Sequence, residues 1–190
     1  MLAYQKGSSA AFETLFSRYQ REIYNFIYRF LGNAQSAEEA FQEVFERIMR
    51  SAPSYTPQAR FSTWLYTIAR NYCIDTFRKK KLRKTVSLDE SYGNAEEGSG
   101  LSLGEKIQDV APSPDQEVGG MELSEKLSTA LKRINPDQRE VFLLREKQGL
   151  PFDEISKIIG VSINTVKSRM RYALTALQEE FKKLGITDPK

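Results

Sequence analysis

The chain has 190 residues, of which 28 are Lys or Arg, 25 are Asp or Glu and none is His, so its formal net charge is +3. A content of 40% hydrophobic and 11% aromatic residues is typical of a globular protein with a buried core. With one cysteine, Cys73, and no His, the sequence excludes an internal disulfide, the usual zinc ligand sets, and Ser-His or Cys-His catalysis. We predict no metal, no cofactor and no catalytic residue.

The charge is distributed in three blocks. Residues 1–84 carry 14 basic and 7 acidic side chains, residues 85–125 carry 1 and 10, and residues 126–190 carry 13 and 8. Two basic blocks on either side of an acidic one indicate two contacts with one long polyanion. No apolar run reaches the roughly 20 residues that cross a bilayer, and residues 1–6 lack the apolar core of a signal peptide. We therefore expect a cytoplasmic protein without membrane insertion.

The beginning of the chain has the periodicity of two helices. Apolar residues recur at three- and four-residue steps over residues 8–31, and Gly32 is expected to end that helix. Ser36 and Glu39 have the spacing of a capping box, so we expect Ser36 to cap the second helix. The buried face of this helix is predicted to consist of Ala37, Ala40, Phe41, Val44, Phe45 and Ile48.

A third helix is predicted from about Phe61 to Lys80, after a loop over residues 51–60 that contains two prolines. Residues 85–118 then differ in composition, because they are rich in Ser, Gly, Glu, Asp and Pro and poor in aromatic residues. This composition is typical of a flexible tether. Since a tether of about 35 residues inside one compact domain is unusual, we expect a domain boundary here.

Helical signals resume after the tether. The first apolar stripe there comprises Leu123, Leu127, Leu131 and Ile134. Asn135-Pro136 is a typical helix start, because Asn caps and Pro suits the first helical position. Pro151 is expected to open a short helix, and Ser162 to cap a long helix that runs to about Leu184.

No segment alternates between apolar and polar residues as a half-buried strand does, so we predict an all-α fold. It is expected to consist of two small helical domains, residues 1–84 and 121–190, joined by a flexible acidic linker over residues 85–120. Each domain coincides with one basic block, so each is expected to contact the polyanion.

Residues 151–172 have the pattern of a helix-turn-helix, with the turn at Gly160-Val161-Ser162. Val161, Val166 and Met170 are expected to face the core. In this motif the second helix enters the major groove, where Asn can read adenine, Arg can read guanine, and Ser, Thr and Lys can contact phosphates. The alternative is an ordinary helical hairpin with a solvated basic face. The candidate DNA-binding residues are Ser162, Asn164, Thr165, Lys167, Ser168, Arg169 and Arg171.

Residues 60–84 combine an aromatic-rich helix with a basic cluster. Aromatic faces stack on exposed bases while cations follow the backbone, so this mixture favours binding of a partly single-stranded nucleic acid. The alternative reading places Trp64, Leu65 and Ile68 in the core and treats the basic end as a favourable helix C-terminus.

The second helix carries a row of acidic and amide side chains on its polar side, at Glu38, Glu39, Gln42, Glu43 and Glu46. This row is either an ordinary solvated face or an acidic surface that docks on another protein.

In this order, the three features resemble the extracytoplasmic-function sigma factors, the smallest of the sigma-70 type. Residues 36–45 (SAEEAFQEVF) are similar to the family's polymerase-binding helix, residues 61–75 (FSTWLYTIARNYCID) to its helix that melts and reads the −10 element, and residues 150–174 to its −35-reading helix-turn-helix. The strings FSTWL and TVKSR are quite specific in combination. The resemblance implies an alternative sigma factor that binds core RNA polymerase and directs initiation at particular promoters.

The resemblance also implies roles for individual residues. The set that would contact the β′ clamp helices of the polymerase is Glu38, Glu39, Gln42, Glu43 and Phe45. The set that would contact −10 DNA, including the loop that cups a flipped base, is Ser54, Tyr55, Arg60, Phe61, Trp64, Arg70, Asn71, Asp75, Arg78 and Lys79. The helix-turn-helix set would contact the −35 element of promoter DNA, where the family often has Gly at the position of Asn164. The second domain would also contact the polymerase β flap, and the family implies an anti-sigma factor as a further partner.

Other function classes remain open from the residues alone. The first is a helix-turn-helix transcription regulator that acts without docking on polymerase, although a protein that binds only duplex DNA has little need of base-stacking aromatics. A nucleic-acid enzyme is disfavoured because the sequence has no P-loop and no metal-ligand spacing. An adaptor that binds acidic proteins through its basic patches would lack salt-sensitive promoter binding.

Overall fold

The computed structural model describes residues 1–86 and 117–186, and these residues form helices, turns and loops without a strand. The all-α prediction is confirmed. Most of the predicted linker, residues 85–120, lies outside the described residues, so its flexibility stays a prediction. Within the described ranges, no helix is long and apolar enough to cross a membrane.

The N-terminal domain, residues 1–86, contains four α-helices and a short 3₁₀ turn among its described elements. These are α1 (Leu2–Gln5), α2 (Ser9–Leu31), α3 (Ala34–Ser51), the 3₁₀ turn (Ala52–Ser54) and α4 (Phe61–Val86). The helices α2, α3 and α4 contact one another pairwise. The predicted helix over residues 8–31 is confirmed, with Ser8 as its N-cap, and α4 extends six residues beyond the predicted end at Lys80.

The connection between α2 and α3 is shorter than the sequence predicts. Gly32 has φ 71°, a left-handed conformation that suits glycine, and its N–H donates to the carbonyl of Tyr28, which ends α2. Asn33 is extended and its side-chain oxygen accepts from the backbone N–H of Ser36 at 2.9 Å. Asn33 is therefore the N-cap of α3, and the prediction that Ser36 caps this helix is wrong, because Ser36 lies inside its first turn.

The core of the N-terminal domain follows the predicted periodicity. The predicted face of α3, from Ala37 to Ile48, is buried and packs on fully buried side chains of α2, which are Ile23, Phe26, Ile27 and Phe30. From α4, Leu65 and Cys73 complete this core. Cys73 is fully buried, and burial raises the pKa of its thiol, so this cysteine is a small core residue.

The C-terminal domain comprises the described residues 117–186. Its elements are α5 (Glu117–Arg133), α6 (Pro136–Phe142), a π-helical turn (Leu143–Lys147), α7 (Phe152–Ile159) and α8 (Ile163–Lys183). The predicted start at Asn135-Pro136 is confirmed, since the Asn135 side chain accepts from the N–H of Asp137 at 2.9 Å. The predicted apolar stripe of α5 is wrong at Leu123, which is 53% exposed.

The two domains contact each other. Helix α2 contacts α5, α6 and the π-helical turn, and α4 contacts α7. The buried apolar side chains of both domains belong to one continuous cluster. The guanidinium of Arg139 joins the domains, because it donates to the carbonyl of Phe30 in α2 at 2.5 Å and to the carbonyls of Lys132 and Ile134 beside its own helix at 2.9 and 3.4 Å.

Candidate nucleic-acid interface

The helix-turn-helix is formed by α7, the turn at residues 160–162, and α8. Gly160 has φ 78° and its N–H donates to the carbonyl of Ser156, which ends α7. Ser162 caps α8 by accepting from the N–H of Thr165 at 3.1 Å, and the two hydroxyls lie 2.9 Å apart. The predicted cap and the predicted inward positions are confirmed, because Val166 and Met170 are buried and Val161 is half-buried.

The first turns of α8 present polar side chains to the outside. Asn164, Lys167 and Arg171 are exposed together with Ser162 and Thr165, whereas Ser168 is half-buried. The Arg171 guanidinium lies 5.3 Å from the centre of the Tyr172 ring. This surface offers amide, hydroxyl and cationic groups at the start of a helix, which are the groups that contact base edges and phosphates.

Arg169 differs from its neighbours on α8. Its Nη2 lies 2.7 Å from Asp137 Oδ2 and its Nη1 lies 3.1 Å from Glu140 Oε1, both in α6. The side chain is only 23% exposed. Arg169 is therefore engaged inside the protein in this arrangement and holds α8 against α6.

The loop before α4 contains a compact aromatic cluster. Tyr55 is buried, and its ring centre lies 4.9 Å from that of Trp64 and 6.0 Å from that of Phe61. Gln5 donates its side-chain amide to the carbonyls of Ala52 and Tyr55 at 2.6 and 2.7 Å, which ties α1 to this loop. Phe61 and Trp64 are half-buried in this cluster, whereas Leu65 is buried and Ile68 half-buried, so the alternative that places residues of α4 in the core is fully met by Leu65 only. Stacking of the aromatic residues on bases stays a prediction.

The polar residues predicted to contact −10 DNA lie in two environments. Ser54, Asn71, Asp75, Arg78 and Lys79 are exposed. Arg60 and Arg70 instead reach carboxylates of the C-terminal domain: Arg60 Nη1 lies 3.0 Å from Glu154 Oε1, and Arg70 Nε lies 2.7 Å from Glu140 Oε2.

The acidic face of α3 is exposed at Glu39, Gln42 and Glu46, and half-buried at Glu38 and Glu43. Glu43 is neutralised within the helix, because its Oε1 accepts from Arg47 at 2.8 Å and from Arg50 at 3.2 Å. The hydrogen bond from Arg47 lowers the pKa of the Glu43 carboxyl.

Phe45, which was assigned to the same surface, does not face outward. Its ring packs in the core against Phe16 and Phe41 at 4.8 Å from each. Phe45 can therefore support the acidic face only by packing in the core beneath α3.

Several residues at the domain interface had no signal in the sequence. Glu140 is fully buried, and burial raises the pKa of its carboxyl while the hydrogen bond from Arg70 acts in the opposite direction. Thr63 Oγ1 donates to Glu154 Oε2 at 3.1 Å, and the Tyr66 hydroxyl donates to the side-chain carbonyl of Gln148. The sequence does not mark Glu140, Glu154 or Thr63 as buried, because polar residues of these types are mostly exposed in proteins.

Comparisons with known proteins find matches for both domains. Residues 15–83 match the family model Sigma-70 region 2, and residues 124–177 match Sigma-70, region 4. The chain is 33% identical over 180 residues to the ECF RNA polymerase sigma factor SigW of Bacillus subtilis, covering 95% of this chain and 94% of that protein. The chain belongs to the extracytoplasmic-function (ECF) sigma factors.

Solved structures agree with the fold of this ECF sigma factor. It is similar to the sigma factor RpoE in complex with the anti-sigma factor NepR from Bartonella quintana, with a TM-score of 0.67, 22% identity and coverage of 90% of this chain and 97% of that chain. It is also similar to CnrH in complex with the cytosolic domain of CnrY, with a TM-score of 0.66, 17% identity and coverage of 94% and 92%.

Family membership decides between the function classes that the sequence left open. The ECF sigma factor is an alternative sigma factor that directs transcription, and the reading as a regulator without polymerase docking is not favoured. Sigma factors in general are not enzymes.

Proposed function

We propose that this ECF sigma factor contacts core RNA polymerase through α3, melts and reads the −10 element through the loop over residues 54–60 and α4, and reads the −35 element through the first turns of α8. The observation that carries the proposal is the exposed row of Asn164, Lys167 and Arg171 on a helix-turn-helix whose inner face is buried. Such a row can enter the major groove without rearrangement of the motif.

The proposed −10 surface combines the exposed polar residues of α4 with the aromatic cluster. Asn71, Arg78 and Lys79 can follow the backbone of a separated strand while the half-buried rings of Phe61 and Trp64 stack on a base. Because Tyr55 is buried, we assign it to holding the loop open for a flipped base. Flipping a base costs a few kcal/mol, which such a pocket offsets.

The proposed polymerase contact is the exposed part of the acidic face, at Glu39 and Gln42, with the half-buried Glu38 at its edge. The family resemblance implies basic β′ clamp helices as the docking site, and a row of acidic and amide groups would be complementary to them. Phe45 is assigned to positioning α3 from inside the core. Further contacts of the C-terminal domain with the β flap remain part of the proposal.

Two wider aspects of the function follow from the family. RpoE and CnrH are each found with a partner, NepR and the cytosolic domain of CnrY respectively. On that basis we propose that this sigma factor also has an anti-sigma partner. It is expected to act in the cytoplasm, because its polymerase and promoter DNA are there.

The test is in vitro transcription with core polymerase, with and without the sigma factor, on a pool of promoter fragments. We expect new start sites whose fragments share two upstream elements at fixed spacing. Replacing Arg171→Ala should weaken output at these promoters, whereas Lys182→Ala removes the same charge near the other end of α8 and should not. If no fragment is transcribed but the protein alone still shifts duplex DNA, the proposal fails in favour of a regulator without polymerase docking.

A further inference from the structure

The contact between the domains covers part of the proposed −10 surface. Four side chains from this surface and its surroundings reach the C-terminal domain. Thr63 donates to the buried Glu154, Arg60 pairs with the same carboxylate, Tyr66 donates to Gln148, and Arg70 pairs with Glu140. DNA cannot occupy this side of α4 while α7 lies against it.

Glu140 is the central residue of this contact. It is 0% exposed, and its two oxygens accept from Arg70 Nε at 2.7 Å, from Arg70 Nη2 at 3.2 Å and from Arg169 Nη1 at 3.1 Å. The third guanidinium nitrogen of Arg70, Nη1, donates to Asn71 Oδ1 at 3.2 Å. The Nε–Nη2 edge of Arg70, which can hold a phosphate or a base edge through two hydrogen bonds, is therefore occupied by Glu140 in the closed arrangement.

The energetics make Glu140 the stronger of the two carboxylate contacts. A buried carboxylate is costly unless charged partners satisfy it, and Arg70, at 16% side-chain exposure, is largely removed from water as well. Arg60 is 75% exposed, so water and salt screen its pair with Glu154. Among the polar contacts that cover the −10 surface, separating the domains would thus break mainly the Arg70–Glu140 contact and the buried hydrogen bond of Thr63.

We infer that the closed arrangement is an autoinhibited state of the free sigma factor, in which Glu140 of the C-terminal domain holds Arg70 of the −10 surface and thereby competes with promoter DNA. The inference rests on the proposed function, since it requires Arg70 to contact DNA. A carboxylate in this position presents to the guanidinium the same kind of anionic, two-oxygen acceptor that a phosphate presents.

The closed state still leaves the proposed polymerase contact accessible. Glu39 and Gln42 on α3 are exposed while the domains are together. Docking through α3 therefore does not require opening, whereas binding of −10 DNA does. The DNA affinity of the free protein is the affinity of the open form multiplied by the fraction of molecules that are open. The free factor therefore binds DNA weakly until the domains separate.

The experiment compares the full chain with Glu140→Gln, Glu154→Gln and Glu180→Gln. Glu180 is the matched control, because it accepts from two basic side chains, Arg133 and Lys183, within the C-terminal domain, and its replacement makes the same change in net charge. Small-angle X-ray scattering gives the radius of gyration of each free protein. Fluorescence anisotropy gives its affinity for a fluorescein-labelled single-stranded oligonucleotide of mixed sequence, and circular dichroism verifies that each variant is helical.

We expect Glu140→Gln to enlarge the radius of gyration and to tighten oligonucleotide binding about tenfold, because a neutral amide offers Arg70 one acceptor and a repelling NH₂ group. Glu154→Gln should tighten it by about threefold at most, since Arg60 is largely exposed. This second variant leaves the Glu140–Arg169 pair intact and keeps the test valid if Glu140→Gln perturbs the helix-turn-helix. Glu180→Gln should match the wild type in both measurements.

Other outcomes distinguish failure of the autoinhibited state from failure of the proposed DNA contact at Arg70. If the wild type is already extended in solution, or if Glu140→Gln stays as compact as Glu180→Gln with the same affinity, the autoinhibited state is overturned while the transcription assay still tests the proposed function. If Glu140→Gln opens the protein but leaves DNA affinity unchanged, Arg70 is not a DNA contact, and the inference fails together with that part of the proposed function.

Discussion

Arg169 and Arg171 lie two residues apart on α8, and the sequence assigns both to the −35 element. Their surroundings differ: Arg171 is exposed, whereas Arg169 is ion-paired with Asp137 and Glu140. The helical period explains the division, because a step of two residues rotates a side chain by roughly 200° around the axis. A sequence motif identifies such residues as polar and charged, but the partner on α6 that engages one of them is set by the tertiary fold.

This difference predicts different consequences of truncation. We expect Arg169→Ala to lower the free energy of unfolding by about 1–3 kcal/mol, because Glu140 loses a charged hydrogen-bond partner, and also to weaken −35-dependent initiation. Arg171→Ala should change unfolding by less than about 0.5 kcal/mol while weakening initiation by about 1–3 kcal/mol, as a direct DNA contact does. Urea unfolding and in vitro transcription measure the two effects. Equal loss of stability in both variants would contradict the assignment of Arg169 to an internal ion pair and of Arg171 to the DNA-binding surface.

The helices themselves were largely predictable, because apolar periodicity marks their buried faces. It predicted α2, the buried face of α3, and the positions of α7 and α8 on either side of Gly160. Two local details were not predictable: the cap of α3 at Asn33, and the π-helical turn after α6. The first was obscured by a second plausible cap three residues later, and the second has no pattern of its own in the sequence.

The cap of α3 at Asn33 is expected to stabilise the N-terminal domain. Asn33→Ala should destabilise the N-terminal domain by about 1 kcal/mol, because the N–H of Ser36 loses its acceptor. Ser36→Ala is the matched comparison: it removes a hydroxyl that accepts from Lys80 on the surface at 2.5 Å, and we expect a change within about 0.5 kcal/mol. Urea unfolding midpoints measure the stability of both variants. A larger loss of stability in Ser36→Ala than in Asn33→Ala would support Ser36 as the cap of α3.

The exposed residues of the acidic face of α3 form the proposed contact with core polymerase. We expect Gln42→Ala to reduce binding to core polymerase several-fold at unchanged thermal stability, because Gln42 is exposed. Glu43→Lys should reduce it too, but this change also breaks the pairs with Arg47 and Arg50. Gln178→Ala, an exposed glutamine on α8, is the control in the same polymerase pull-down and DNA-binding assays. Loss of DNA binding in Gln42→Ala would indicate misfolding rather than a docking role.

At the scale of the whole molecule, the contact between the two domains was the feature that the sequence did not predict. Its residues are Arg, Glu, Thr, Tyr and Gln, which a single sequence assigns to solvent because each is polar. Its pairs are distant along the chain: Arg70 and Glu140 are separated by 70 positions, and Thr63 and Glu154 by 91. Periodicity reports which face of a helix is apolar, and it carries no information on which buried polar groups will meet.

Substitution of Arg139 tests whether the two domains unfold as one cooperative unit. It is 3% exposed, donates to one carbonyl of the N-terminal domain and two of its own, and burial lowers its pKa to about 10, so it stays charged at neutral pH. Lys cannot reproduce the planar fork that satisfies three separate carbonyls. We therefore expect Arg139→Lys to lower the free energy of unfolding by about 1–3 kcal/mol, the cost of buried acceptors left without donors.

Because the lost hydrogen bond to Phe30 crosses between the domains, Arg139→Lys should also split a single thermal transition into two in differential scanning calorimetry. Arg133→Lys is the matched control: its side chain is 52% exposed and pairs with Glu180 inside the C-terminal domain, so the wild-type transition should be retained. A single, unshifted transition in Arg139→Lys would mean that the domains unfold independently of this contact. In that case, the carboxylate contacts of Glu140 and Glu154 and the shared apolar cluster would hold the closed state without it.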